Sequence, residues 1–395
     1  MAAPLILCLG LLSRSRQRLE VRDAFSELTE EEFRRHYRLS KRTVRWLCDE
    51  LEETVGCHRS SGFSTERKVL CALRFLATGS FQKCVGAEVF IGMAQSSVSD
   101  TIHEVARAIT VVGQQKRWVS FPTTSAAKDS AKATFASRGR IPGVVACVDG
   151  TLIAIQQSRG LNPGETQSFM TRKGYYALNT MVVCDGHMKI LDIDPRFPGS
   201  CHDSFVWRHT PLRSRLETVL RPGEIVLGDS GYPLEPWILT PVPGHPATDT
   251  PEGRYNRAHA SMRNVVERCI GLLKSRFRCL QRYRTLLYSP EKAAVIVAAC
   301  AALHNIALEA GEPCVDDDDD DDDDDVAVQV VLQPHQSTSG ELPPESRRPP
   351  PPRDLLLRGR LQRNLVVNLF RGRHAPHTAY LLMVRRRLRQ SSGHH

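Results

Sequence analysis

The sequence predicts an α/β protein in three parts. An all-helical segment covers about 24–115, a strand-containing unit 141–310, and a tail 315–395 is too biased in composition to pack. Three observations carry this. Apolar residues recur at helical spacing through the first part. Short apolar runs bounded by turn residues, then long amphipathic stretches, fill the second. The third holds ten consecutive aspartates (Asp316 to Asp325), the run Pro349 to Pro352 and the basic end Arg385-Arg386-Arg387-Leu388-Arg389, a composition expected to be disordered.

The helical segment shows start and stop signals. Thr29 with Glu32 makes a capping box before Glu31 to Tyr37. Ser40 caps a helix carrying Val44, Leu47 and Leu51, and Ser64 opens another with Val69, Leu70, Leu73 and Leu76 on one face and Gly79 as its stop. A fourth helix runs from about Phe81 to Val89. Gly92 then makes a break, and Ser96 or Ser97 is expected to cap a fifth with Val98, Ile102, Val105 and Ile109. Helix, glycine turn and a Ser/Gln-started helix is helix-turn-helix grammar, which would present Gln95, Ser96, Ser97 and Ser99 to DNA. A plain helical bundle has the same periodicity.

In the second part, strands are expected at Val144–Ile155, Ala177–Cys184, Ile190–Ile193 and Glu224–Leu227, with helices at about 257–280 and 290–309. No internal repeat is visible.

The net charge of +9 hides a division: without the ten aspartates the chain carries +19. Such a balance suits a polyanionic partner, nucleic acid ahead of a membrane surface, and equally a soluble protein with a basic tail. The twelve cysteines include no Cys-x-x-Cys pair, so neither a zinc knuckle nor a redox motif is indicated. Cys147, Cys184 and Cys300 lie in apolar runs and act as small buried hydrophobes, a usage that suits a reducing compartment. Pro4 to Leu12 is short, with no basic residue in front of it among the residues given, and no later segment looks long enough to cross a membrane. A nuclear or cytoplasmic location without membrane contact is expected.

Three acidic residues stand out by position. Asp149 follows the apolar run Val144 to Val148, Asp229 follows Ile225 to Gly228, and Glu267 lies in the amphipathic stretch beyond. If the two strands are neighbours, both aspartates emerge on one side of the sheet and a helix packed there can bring Glu267 to them. Clustered carboxylates repel unless a cation intervenes. Mg²⁺ or Mn²⁺ would remove that repulsion, and two such ions about 3.5–4 Å apart support in-line phosphodiester displacement. Each residue also has an ordinary reading. Asp149-Gly150 is a hairpin signal, Gly228 to Gly231 a turn, and Glu267 a surface partner for Arg263. On a helical wheel Val266, Ile270, Leu273 and Phe277 form the buried stripe. Glu267 sits at its edge in a row with Arg263, Lys274 and Arg278, where metal and phosphate backbone could meet.

Taken together, Ala146-Cys147-Val148-Asp149-Gly150-Thr151, Leu227-Gly228-Asp229-Ser230-Gly231-Tyr232 and Asn264 to Lys274 resemble the PIF/Harbinger transposase superfamily, its domesticated vertebrate branch above all. Arg172-Lys173-Gly174-Tyr175, Pro198 to Ser204 and Leu303-His304-Asn305 match in the same order, over roughly residues 30–310. The resemblance implies an RNase H-like DDE core with Asp149, Asp229 and Glu267 as catalytic triad and metal ligands. Asp203 is a further aspartate near the metal, with capping of the next helix as its alternative. Leu152 departs from the histidine frequent there.

The activity implied is divalent-metal-dependent hydrolysis of DNA phosphodiesters, with or without transposition. The rival is a catalytically silent nuclear factor binding DNA or protein. A separate Myb/SANT-like partner is implied as well, and a homo-oligomer is left open.

Overall fold

A computed structural model describes residues 21–56, 62–157, 162–313 and 353–371. Six helices come first: α1 (Ala24–Glu27), α2 (Glu30–Tyr37), α3 (Lys41–Gly56), α4 (Thr65–Thr78), α5 (Gln82–Ala87) and α6 (Gln95–Lys116). The capping box forms: the Thr29 hydroxyl accepts from the Glu32 amide while the Glu32 carboxylate accepts from the Thr29 amide. Ser64 caps α4, which Gly79 ends at φ +63°, a left-handed conformation that suits glycine. The expected cap at Ser96 or Ser97 is displaced. Ala94 is the N-cap of α6, without a side-chain bond, and both serines fall within the first turn. Val98, Ile102, Val105 and Ile109 are buried, as their spacing predicts.

Helix α7 (Ser125–Ala136) leads into β1 (Val144–Ala154), with α8 (Pro163–Ser168) before β2 (Ala177–Cys184) and β3 (Ile190–Pro198). Next come α9 (Asp203–His209), α10 (Pro211–Val219), β4 (Ile225–Leu227) and β5 (Ile238–Leu239). The sheet order is β3-β2-β1-β4-β5, antiparallel across the first three strands and parallel across β1, β4 and β5. The hairpin reading of Asp149-Gly150 fails: β1 runs straight through, with Asp149 opposite Val182 and Gly150 opposite Met181. Strand β3 continues past Ile193 to Pro198, paired with β2 as far as Leu178, and at this sheet edge Arg196 reaches solvent. The two-residue β5 is too short to show a period.

Helices α11 (Pro251–Arg276) and α12 (Pro290–Glu309) complete the unit. With 20 residues and a mean hydropathy of 1.4, α12 has the length and composition of a membrane span, contrary to expectation. It is instead a core helix, packed between α6 and β3. Its Asn305 side chain, fully enclosed, accepts from the Ile190 amide at 2.8 Å and donates to the Ile190 and Trp118 carbonyls. Satisfying all of these is what makes a buried amide tolerable. One apolar core runs from the N-terminal helices into the sheet.

The tail needs one correction. Arg353–Asn368 forms a helix, α13, that packs on α11 and β5 and buries Leu365, Val366 and Val367, with Phe370 just beyond it. Gly359 lies flush against the Glu235 backbone, and Arg363 donates to the Pro241 carbonyl at 2.9 Å. The aspartate run, the proline run and the basic end lie outside the described residues.

Candidate active site

Parallel pairing of β1 with β4 places Cys147 opposite Leu227. Asp149 and Asp229 each stand two residues further on, so the register sets them side by side. Asp229 leaves β4 in a turn whose geometry its own carboxylate fixes, Oδ1 accepting from the Gly231 amide at 2.8 Å. Asp149 remains in the strand, with Oδ1 accepting from the Gly150 amide at 3.0 Å.

Asp203 joins them. It is the first residue of α9 and makes no cap, since the N-cap His202 has no side-chain cap bond. Instead its Oδ1 accepts from Asn179 Nδ2 at 3.0 Å, out of β2. Its carboxylate fills the space over Gly150, where any Cβ would collide with it, and approaches Gly231 as well. Asn179 was not anticipated. Its signal in the sequence is an amide within the otherwise mostly apolar β2, whose residues are all buried.

Glu267 is on the exposed edge of α11, and Arg263 one turn earlier connects it to the strand. The Arg263 guanidinium donates through Nη1 to Asp149 Oδ2 at 2.9 Å and through Nη2 to Glu267. One cation therefore spans the strand aspartate and the helix glutamate. Burial is the main cause pushing the Asp149 carboxyl up to about 6; Arg263 opposes the shift and the Asp229 charge adds to it. Burial raises Asp203 too, and Asp229 contributes there as well. Beneath the three aspartates lies Tyr232, buried, its hydroxyl without a hydrogen-bond partner among the described residues.

As the side chains stand, no three His, Cys, Asp or Glu among the described residues converge into a group able to hold a metal. The donor chemistry nonetheless suits a hard divalent cation. Asp229 lies near both Asp149 and Asp203, which burial disfavours as anions, and the orphaned Tyr232 hydroxyl is close by.

The residues expected to meet DNA are scattered in their surroundings. Gln95 and Ser96 are exposed and Ser97 is half-buried, at the start of α6. Ser99, half-buried like Ser97, lies beside the Tyr288 hydroxyl. Arg263 is engaged by carboxylates. Lys274 is turned to the strand, donating to the Leu152 carbonyl at 3.1 Å, and burial lowers its pKa to about 8. Arg278 is not on α11, which ends at Arg276; it begins the short 3₁₀ turn that follows, half-buried. Phe277 is likewise past the helix end, though buried as expected.

The family description "DDE superfamily endonuclease" matches residues 148–305, which takes in all four acidic residues. A protein of Rattus norvegicus named "Putative nuclease HARBI1" is 36% identical over 290 residues, covering 72% of this chain and 80% of that protein. The chain belongs to the Harbinger transposase-derived nuclease family. The Homo sapiens protein of the same name is 34% identical with the same coverage. More remote is "Protein ALP1-like" of Arabidopsis thaliana, 25% identical over 306 residues and covering 71% of each chain. No solved structure matches. Within the Harbinger-derived frame, the matched region begins in β1 just before Asp149 and ends in α12.

Proposed function

We propose that this chain hydrolyses DNA phosphodiester bonds with divalent metal ions held by Asp149, Asp203, Asp229 and Glu267. The observation that carries this reading is the pairwise approach of Asp229 to Asp149 and to Asp203, from the β4 turn, β1 and α9, with the Asp203 carboxylate lying against Gly150 and near Gly231. Burial and the neighbouring Asp229 charge disfavour Asp149 and Asp203 as anions, and a cation there would offset that cost. A Mg²⁺ or Mn²⁺ held by these carboxylates would supply Lewis-acid stabilisation to the phosphodiester undergoing hydrolysis.

The chain's own residues do the positioning. Asn179 fixes the rotation of Asp203, the Gly231 amide fixes Asp229, and the Gly150 amide fixes Asp149. Preorganised ligands of this kind reorganise little when charge develops. Glu267 completes the set when Arg263 releases it. The first turn of α6, with Gln95, Ser96 and Ser97, is assigned to DNA contact in the helical domain at 24–115, ahead of the nuclease domain at 141–310. A Myb/SANT-like partner is proposed on the family resemblance, and residence in nucleus and cytoplasm on the cysteine usage and the short N-terminal apolar stretch; self-association stays open.

Asp149→Asn tests the reading. The amide keeps the shape and loses the charge, so nicking of supercoiled plasmid in Mg²⁺ or Mn²⁺ should vanish while DNA affinity and the thermal transition stay. Cleavage at the parental rate would reject the site. One observation favours the silent, DNA-binding reading: Arg263 already supplies a cation to Asp149 and Glu267. Parental protein that binds plasmid but never nicks it, in either metal, would support that reading.

A further inference from the structure

Three segments distant in sequence meet beside the end of β1 and have no role in the site above. Residues 284–288 run along the strand end, with the Leu286 amide donating to the Ala154 carbonyl and the Gln156 amide donating to the Leu286 carbonyl, both at 3.0 Å. The turn at 171–176 lies next to them, since Arg282 stacks over the Tyr175 ring at 4.9 Å. The third segment leads into α5: Gln82 donates to the Tyr288 hydroxyl at 2.8 Å, and the Arg284 stem packs on Gly79. The segments 78–84, 171–176 and 281–288 hold five cations (Lys83, Arg172, Lys173, Arg282 and Arg284) and no acidic residue. All five are exposed.

Aromatic rings stand among these cations. Tyr283 is 69% exposed and Phe81 71%, and Arg282 also lies 5.7 Å from the Tyr283 ring centre. Cations without carboxylates select a polyanion. Exposed rings between them select one with flat faces to stack. The strip begins about 17 Å along β1 from Asp149, at a strand rise of about 3.3 Å per residue. It therefore flanks the carboxylates and links them to the helical domain.

From this we infer that Arg282, Tyr283 and Arg284 form a binding site for an unpaired DNA strand a few nucleotides from the cleaved phosphate, with a base stacked on Tyr283 and phosphates on the two arginines. The inference rests on the nuclease reading and adds the strand it holds. A bare cation surface would need no ring, and Tyr175 alone accounts for Arg282 but leaves Tyr283 uncovered.

The test uses the full chain carrying Asp149→Asn, in EDTA, so that no cleavage intervenes. Fluorescence anisotropy compares a labelled duplex bearing a single-stranded 3′ overhang with the same duplex made blunt. Tyr283→Ala should weaken overhang binding about tenfold, the scale of one stacked base, and change blunt binding less than about twofold. Tyr283→Trp should restore the affinity, with its emission quenched by the overhang and not by the blunt duplex. Arg284→Gln should lower the slope of log affinity against log salt by about one. Tyr283→Ala binding the overhang like its parent, or losing both probes equally, overturns the inference and leaves the nuclease reading standing. A parent that binds neither probe overturns both.

Discussion

Arg263 and Asp149 form a partly buried ion pair, Nη1 to Oδ2 at 2.9 Å, that ties α11 to the central strand. The same guanidinium holds Glu267, so a helix edge and a strand reach one another through a cation. Arg263 therefore competes with any divalent ion for two of the four proposed ligands. Arg263→Gln should tighten Mn²⁺ binding about tenfold in the absence of DNA, measured by calorimetry, since one charge at this range contributes on the order of 1 kcal/mol or more. Unchanged or weaker Mn²⁺ binding would show that Arg263 supports the site.

Gly150 has no room for a methyl group, because the Asp203 carboxylate occupies that space. Gly150→Ala should push Asp203 aside and lower cleavage on the order of a hundredfold, the usual consequence of misplacing a group by about 1 Å. The sheet should survive, because Gly150 sits in extended strand. Full cleavage by a folded Gly150→Ala protein would remove Asp203 from the mechanism.

Glu224, immediately before β4, gathers Lys128 at 2.8 Å, Lys132 at 3.0 Å and Arg221, and fastens α7 to the sheet. Burial alone would raise its carboxyl, yet these cations bring it from 4.5 down to about 2. A carboxylate depressed on folding stabilises above its unfolded value and loses that contribution as the pH falls through the folded one. Stability should therefore drop between about pH 4.5 and about pH 2. Glu224→Gln should cost roughly 3 kcal/mol at neutral pH, by stranding the buried Lys128, and flatten this acid limb in urea titrations. A limb of unaltered steepness would place the acid sensitivity elsewhere.

At the head of α6, Ser96 is exposed and Ser97 half-buried, whereas Ser99 lies beside the Tyr288 hydroxyl. Adding charge with Ser96→Glu and Ser97→Glu should weaken duplex binding several-fold at low salt and leave helical content intact. Ser99→Ala should instead lower the thermal transition with no change in DNA affinity. Equal affinity of the double variant and its parent would make the helical segment a plain bundle.

Much of the fold is legible in the residue order because its causes are local. Thr29 with Glu32, Ser64 and Gly79 start and stop helices through bonds made within a few residues. The apolar runs at Val144 and Ala177 declare buried strands without reference to anything distant. Asp149 and Asp229 could be picked out for the same reason: each follows an apolar run in its own segment.

Pairing and orientation are different matters, settled by what lies across the fold. Only the parallel register of β1 with β4 brings Asp149 beside Asp229, and only α9 delivers Asp203 onto Gly150. Helical spacing puts Arg263 and Lys274 on one edge of α11, but the strand beneath decides their partners: a carboxylate for one, the Leu152 carbonyl for the other. Composition gives no sign of α13, whose Leu365, Val366 and Val367 find an apolar surface only after α11 and β5 have assembled. Local sequence thus determined the elements and the candidate carboxylates. Tertiary structure decided which charges neutralise one another, because the energy of a charge depends on its neighbours in space and on the water removed around it.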